Sequence, residues 1–165
     1  MIKKIDLLLL NIPFMSTAYA PAGTSLLKAC VQKKGYTCKV VDYNIKLWQA
    51  QSDENTIAEL ENYFTVNGDV SDETNELIQQ YYRLICKEIV DLNPKWVGFS
   101  VFTFLCQRAT TEIIKMLRQQ FSGKIMIGGA GISTKGIASS NADYGDKLLN
   151  ESLIDAYIKG DGDIA

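Results

Sequence analysis

The chain has 165 residues, 47% of them hydrophobic and 22% charged, which suits one domain with a real core and is short for two. Its formal charge is −2, and Lys33, Lys34, Lys87, Arg108, Lys115 and Arg118 are scattered rather than gathered in a stripe, so nucleic acid is not an expected partner. Histidine is absent, which removes Ser-His-Asp and Cys-His hydrolysis, imidazole acid–base chemistry and the commonest metal ligand.

Ile5 to Asn11 is a near-continuous apolar run, the composition of a parallel strand buried on both faces. With Met1-Ile-Lys-Lys before it and Ala18-Tyr-Ala20 after it, the segment superficially resembles a secretory signal. Asp6, Asn11 and Pro13 interrupt the apolar region, however, so a first strand fits better. No stretch approaches the ~18 apolar residues of a membrane span. From Pro21, a residue tolerated in a first helical turn, Leu26, Leu27, Cys30 and Val31 recur at helical spacing and Gly35 supplies a left-handed stop. Tyr36 to Asp42 reads as a second strand, which completes a βαβ unit.

Residues 44–72 are polar and acidic, with Leu47, Trp48, Ile57, Leu60, Tyr63 and Phe64 at loosely helical spacing. They read as an insertion with one or two short helices. Residues 73–91 form a stronger helix that Asn93-Pro94 ends. Trp96 to Ser100 is the third strand, Ala109 to Phe121 carries a helical stripe, Lys124 to Ile127 is the fourth strand, and Leu149 closes a weaker helix before a fifth strand at Ile154 to Ile158. This order predicts an α/β, doubly wound, five-stranded parallel sheet with strand order 2-1-3-4-5. Leu8, Val40, Val97, Phe99, Ile125, Ile127 and Ile158 are its expected core. In such a sheet a helix normally follows the fifth strand, so the sequence reads as a fragment of a longer polypeptide.

Cys30, Cys38, Cys86 and Cys106 lie 8, 48 and 20 residues apart, which matches no zinc-ribbon or redox spacing and makes them small core residues in a reducing cytoplasm. The strand ends are more informative. In open α/β sheets ligands bind outside the carboxyl ends of the strands, so a crevice is expected where Asn11 to Phe14, Ser100 to Thr103, Gly128 to Gly131 and Gly160 to Gly162 converge. The glycines let a backbone approach a flat or anionic group, and they serve a tight turn equally well. Ser100 and Thr103 offer hydroxyls beside the aromatic Phe102, while Thr103 is equally suited to cap the next helix. Asp42 sits where an acid holds ribose in dinucleotide folds, but the glycine fingerprint is missing after the first strand, so a solvated strand end is the better reading. Asp161 and Asp163, set among glycines, read as a turn rather than a metal site.

Taken together, Asn11-Ile-Pro-Phe, Ala22-Gly-Thr-Ser-Leu-Leu, Gly35-Tyr, Val41-Asp-Tyr-Asn44, Pro94-Lys-Trp-Val-Gly-Phe-Ser100, Ile127-Gly-Gly129 and Gly160-Asp-Gly-Asp163 resemble the N-terminal cobalamin-binding domain of cobalamin-dependent radical S-adenosylmethionine enzymes. The resemblance covers nearly the whole chain. It implies a flavodoxin-like sheet that holds cobalamin above its carboxyl edge, followed in those enzymes by a domain with a CxxxCxxC motif for a 4Fe–4S cluster and S-adenosylmethionine. By the same resemblance Asn11, Pro13 and Phe14 approach the corrin ring, Ser100, Phe102 and Thr103 surround the nucleotide tail, Gly128, Gly129 and Gly131 pack on it, and Gly160, Asp161 and Gly162 form the turn beside it.

The D-x-H-x-x-G loop that gives other cobalamin domains an axial histidine has no counterpart between Asn11 and Gly23, as is general in the radical-type relatives. The resemblance then implies a cobalamin held without a protein ligand to cobalt and carrying a methyl group for chemistry completed by a downstream domain. The fragment itself contributes no catalytic residue. Two other readings stand beside this one: a cofactor-free interaction domain of the same fold, and a flavin-binding flavodoxin-like module for which Ser16 and Thr17 are a thin phosphate loop. A receiver domain is set aside, because Asn11 and Ser100 stand where it needs acids.

Overall fold

The computed structural model describes residues 4–17, 21–66, 68–132 and 143–159. Five strands, β1 (Leu7–Asn11), β2 (Cys38–Asp42), β3 (Trp96–Ser100), β4 (Lys124–Gly128) and β5 (Ala156–Ile158), form one sheet in the order β2-β1-β3-β4-β5. Every pairing is parallel. Six helices connect them: α1 (Ala22–Lys33), α2 (Tyr43–Gln49), α3 (Glu54–Val66), α4 (Asp72–Leu92), α5 (Cys106–Arg118) and α6 (Tyr144–Asn150). No helix is long and apolar enough to cross a membrane among the described residues.

The chain punctuates these elements with local chemistry. Gly35, at φ +85°, follows α1 in the left-handed region that glycine tolerates. The hydroxyl of Ser71 accepts from Thr74 N to cap α4, and Asn93, at φ +43°, closes it just before Pro94. The polar insertion becomes α2 and α3, whose Leu47, Leu60, Tyr63 and Phe64 are all buried. Arg108 lies 3.5 Å over the Tyr63 ring and donates to its carbonyl, which ties α3 to α5.

Register divides the strand side chains into two unequal faces. Leu8, Leu10, Val97, Phe99, Ile125 and Ile127 share one face with Ile85, Ile89, Ile113, Leu117 and Leu148 from the helices and are fully buried. The opposite face carries Leu9, Val40, Gly98, Met126 and Ile158, with α1 lying across it. Val40 and Ile158, expected in the core, are therefore only half-buried, because α1 covers just part of their face. The stripe of α1 departs from expectation for the same reason. Leu26 is 56% exposed, Leu27, Cys30 and Val31 are half-buried, and Thr24 is the buried residue of that helix.

Ion pairs tie the strands together at their amino ends. The carboxylate of Asp155 takes Arg118 Nη2 at 2.6 Å, Lys124 Nζ at 2.7 Å and Ile125 N at 2.8 Å. That of Asp6 accepts from Thr37 N at 2.8 Å and pairs with Lys95 at 2.7 Å. The carboxyl ends are left to loops and glycines. Cys38, Cys86 and Cys106 are buried free thiols and Cys30 is half-buried, in keeping with their expected packing role.

Candidate ligand groove

A groove of about 430 Å3 opens on the face covered by α1, at the carboxyl ends of β3 and β4. Leu9, Gly98, Met126 and Gly128 form its floor, Thr24, Leu26 and Leu27 of α1 one wall, and Ser100, Phe102, Gly129 and Ile158 its mouth. None of the described residues lining it is charged. Phe102 and Leu26, both exposed large apolar residues, also line it.

Glycine at Gly98 keeps the floor open. A Cβ built there meets Leu9 Cδ2 at 2.8 Å and otherwise lies 3.6 Å from Leu7 and Met126, so the space above this strand is groove and flexible side chain rather than backbone. Glycine inside a strand weakens it and marks a close approach by a ligand or another backbone. Gly128 also has room, its nearest neighbours being Ile158 atoms at 3.7 and 3.8 Å. Gly129 and Gly131 differ. Gly129 has φ +112°, and a Cβ would stand 2.6 Å from the Val101 carbonyl oxygen; at Gly131 it would stand 2.5 Å from the Thr103 backbone. Val101 N donates to Gly128 O and Gly131 N to Val101 O, so these two glycines serve the close pairing of the β4 turn with the end of β3.

The anticipated site residues therefore separate. Ser100, Phe102, Gly128 and Gly129 line the groove. Gly131 is buried in a single 3₁₀ turn, Ala130–Ile132, where its carbonyl accepts from Gln107 Nε2 at 2.7 Å. Thr103 turns its hydroxyl to the Cys106 thiol at 3.8 Å, and the N-cap of α5 is Leu105, so Thr103 makes no side-chain cap. Asn11 and Pro13 are buried. The Phe14 ring packs on Trp48 and Phe64, with centroids 5.7 and 6.2 Å away, while its carbonyl accepts from the Cys106 thiol. Gly160, Asp161 and Gly162 lie outside the described residues, as does Asp163.

Asp42 is neither a solvated strand end nor an isolated hook. One carboxylate oxygen caps α2 by accepting from Ile45 N at 2.9 Å; the other accepts from Asn11 Nδ2 at 3.1 Å. Sequence reasoning missed Leu9, Gly98, Met126 and the α1 wall of the groove. The available signal was Gly98 itself, a glycine in mid-strand between Val97 and Phe99.

The all-parallel sheet and its strand order define a flavodoxin-like α/β domain, with the groove at the carboxyl edge where that class binds ligands. No protein-family model matches the chain, and no curated protein matches it. Its neighbours among solved structures include radical S-adenosylmethionine enzymes, matched over most of the chain at low identity. The cobalamin-dependent S-adenosylmethionine radical enzyme OxsB, in its apo form, superposes with a TM-score of 0.56 over 98% of this chain and 17% of its own, at 14% identity. The radical S-adenosylmethionine methyltransferase TsrM from Kitasatospora setae, with tryptophan and an S-adenosylmethionine analogue bound, gives 0.53 over 96% of this chain and 23% of its own, at 18% identity. The chain thus spans about a fifth of the length of these enzymes, and at such identities the likeness is one of fold.

Proposed function

We propose that this chain is the cobalamin-binding domain of a radical S-adenosylmethionine enzyme. The observation that carries the reading is the groove floored by Gly98 and Met126 at the carboxyl edge of the sheet, whose described lining residues are all uncharged. It stands in a fold that OxsB, a cobalamin-dependent enzyme, shares over almost the whole chain. At about 430 Å3 the groove falls within the range of small-molecule sites, roughly 300–1,000 Å3. Apolar walls and a glycine floor suit a flat heterocycle such as the one that ends the cobalamin tail.

Leu9, Gly98, Met126 and Gly128 would hold that heterocycle, with Ser100 and Phe102 at the mouth. The loop after β1 would lie beneath the corrin, and since Phe14 is engaged with Trp48 and Phe64 it would offer backbone and Met15. With no histidine in the chain, no imidazole from it would ligate cobalt. When bound, cobalamin supplies a methyl-carrying cobalt; the residues of this chain bind it, orient it and shield its tail from water. The 4Fe–4S cluster, S-adenosylmethionine and the radical step belong, in this reading, to a downstream domain, and the setting is cytoplasmic.

One observation favours a second reading, a cofactor-free interaction domain of the same fold. Gly129 and Gly131 are already required by backbone packing and need no ligand to explain them. A flavin module is less well supported, because a flavin phosphate would meet no cation among the described groove residues. Titration of the chain with hydroxocobalamin under anaerobic conditions, followed by the visible corrin bands, separates these readings. Saturable spectral change with a raised melting temperature supports cobalamin, since a ligand at a hundredfold its Kd adds about 2.7 kcal/mol of stability. No binding would leave the interaction domain as the better account.

A further inference from the structure

The corner between β2 and α2 grips the segment after β1 at both of its ends. Asp42, the last residue of β2, accepts from Asn11 Nδ2 at 3.1 Å. Asn44, buried in the first turn of α2, meets Met15 twice. Its Oδ1 accepts from Met15 N at 3.1 Å and its Nδ2 donates to Met15 O at 3.0 Å. One side-chain amide thus closes the pair of bonds that a neighbouring strand would make. The second lone pair of Oδ1 takes Trp48 Nε1 at 3.2 Å. Two N–H donors point at that atom, so only one orientation of the amide satisfies them.

Phe14, between these grips, is held by α5 and by the insertion. Its carbonyl accepts from Cys106 Sγ at 3.3 Å, and its ring packs on Trp48 of α2 and Phe64 of α3. Phe14 O, Met15 N and Met15 O are therefore all engaged inside the domain, and the backbone here takes its shape without help from a ligand. Position 44 needs an amide for this. A carboxylate would set an acceptor against the Met15 carbonyl, and an apolar side chain would deprive Met15 N, Met15 O and the Trp48 indole of the partner they have now.

We propose that Asn44 is a positioning residue for the ligand: it presets the Phe14–Met15 backbone in the shape that the bound cofactor meets, with the α2–α3 insertion as the frame that carries it. The inference rests on reading the loop after β1 as the surface beneath the corrin. A loop that is already ordered adds no ordering cost to binding; a loop freed at this point leaves that cost to the ligand. Fixing one residue of backbone corresponds to roughly five- to thirtyfold in affinity. Asn44 is buried and acts through Met15 rather than by touching the ligand.

The test titrates the full chain with hydroxocobalamin in samples labelled at the methionine methyls, comparing wild type with Asn44→Ala. The variant should bind roughly five- to thirtyfold more weakly. In its free form the Met15 methyl signal should move, while that of Met126, in the groove floor, stays in place. Should Asn44→Ala melt too early to titrate, Asn44→Asp makes the same test, because it keeps the size of the side chain and the acceptor for Met15 N and Trp48 Nε1 but loses the donor to Met15 O. Wild-type affinity in a variant whose Met15 signal has moved overturns the proposal and leaves the cobalamin reading intact, as does a Met15 signal that stays fixed. Movement of the Met126 signal in both variants overturns it too, since the damage is then general rather than confined to the loop. Failure of wild type to bind hydroxocobalamin overturns the cobalamin reading and the role of Asn44 with it.

Discussion

Replacing Gly98 with leucine should abolish most ligand binding while leaving the domain folded. The added Cβ meets one flexible atom, Leu9 Cδ2 at 2.8 Å, and the rest of the side chain projects into the groove that Leu9 and Met126 also line. Steric intrusion at a packed contact costs about 1–3 kcal/mol, which is roughly ten- to hundredfold in affinity. On the stability side, glycine within a strand is already about 0.5–1 kcal/mol worse than alanine. Gly98→Ala should therefore melt within roughly 2–4 °C of wild type, as about 1 kcal/mol implies for a domain of this size. The assay is a hydroxocobalamin titration of wild type, Gly98→Ala and Gly98→Leu, with a thermal melt of each. A folded Gly98→Leu protein that binds as tightly as wild type would refute the groove as the binding site. Should Gly98→Leu melt early, Gly128→Val makes the same test, because the nearest neighbours of a Cβ there are 3.7 Å away.

Gly129→Ala should destabilise the protein without regard to ligand, since a side chain at φ +112° that stands 2.6 Å from a carbonyl is strained in conformation and contact alike; a melting temperature lowered by several degrees checks this. Asp42→Ala removes the cap of α2 and the anchor of the Asn11 amide, a loss of about 1–2 kcal/mol, measurable as a lower urea midpoint. Burial alone would raise the Asp155 pKa, but Arg118, Lys124 and Ile125 N outweigh it and hold the carboxyl at about 2. Its contribution to stability is therefore complete above the ordinary aspartate range near 4 and is lost as pH falls toward 2. Melting temperatures recorded across that window should fall for wild type and fall less for Asp155→Asn.

Much of the architecture could be read from residue order. Uninterrupted apolar runs at Leu7–Leu10, Trp96–Phe99 and Ile125–Ile127 gave buried parallel strands, while Gly35 and Asn93-Pro94 marked where helices stop; the sheet has the expected order. Which face of each strand is covered was not legible. Val40 and Ile158 have the same composition as Val97 and Ile127, and only the placement of α1 over the second face leaves the first pair half-buried. The same asymmetry turned Leu26 and Leu27 from expected core into groove wall. Ser100, Phe102, Gly128 and Gly129 were found as strand-end residues, because a strand's carboxyl end can be located from its composition. Asp42 was misread, since its partners Asn11 and Ile45 are brought to it by the β1–β2 pairing and the start of α2.

Methionine methyl resonances offer the most direct measurement of the central claim. Met126 is in the groove floor, while Met116 lies on α5, against the core of the opposite face. In a sample labelled at the methionine methyls, addition of hydroxocobalamin should shift the Met126 signal saturably and leave the Met116 signal in place. A Met126 resonance that stays fixed while the corrin bands report binding would put the ligand elsewhere on the domain and contradict the account.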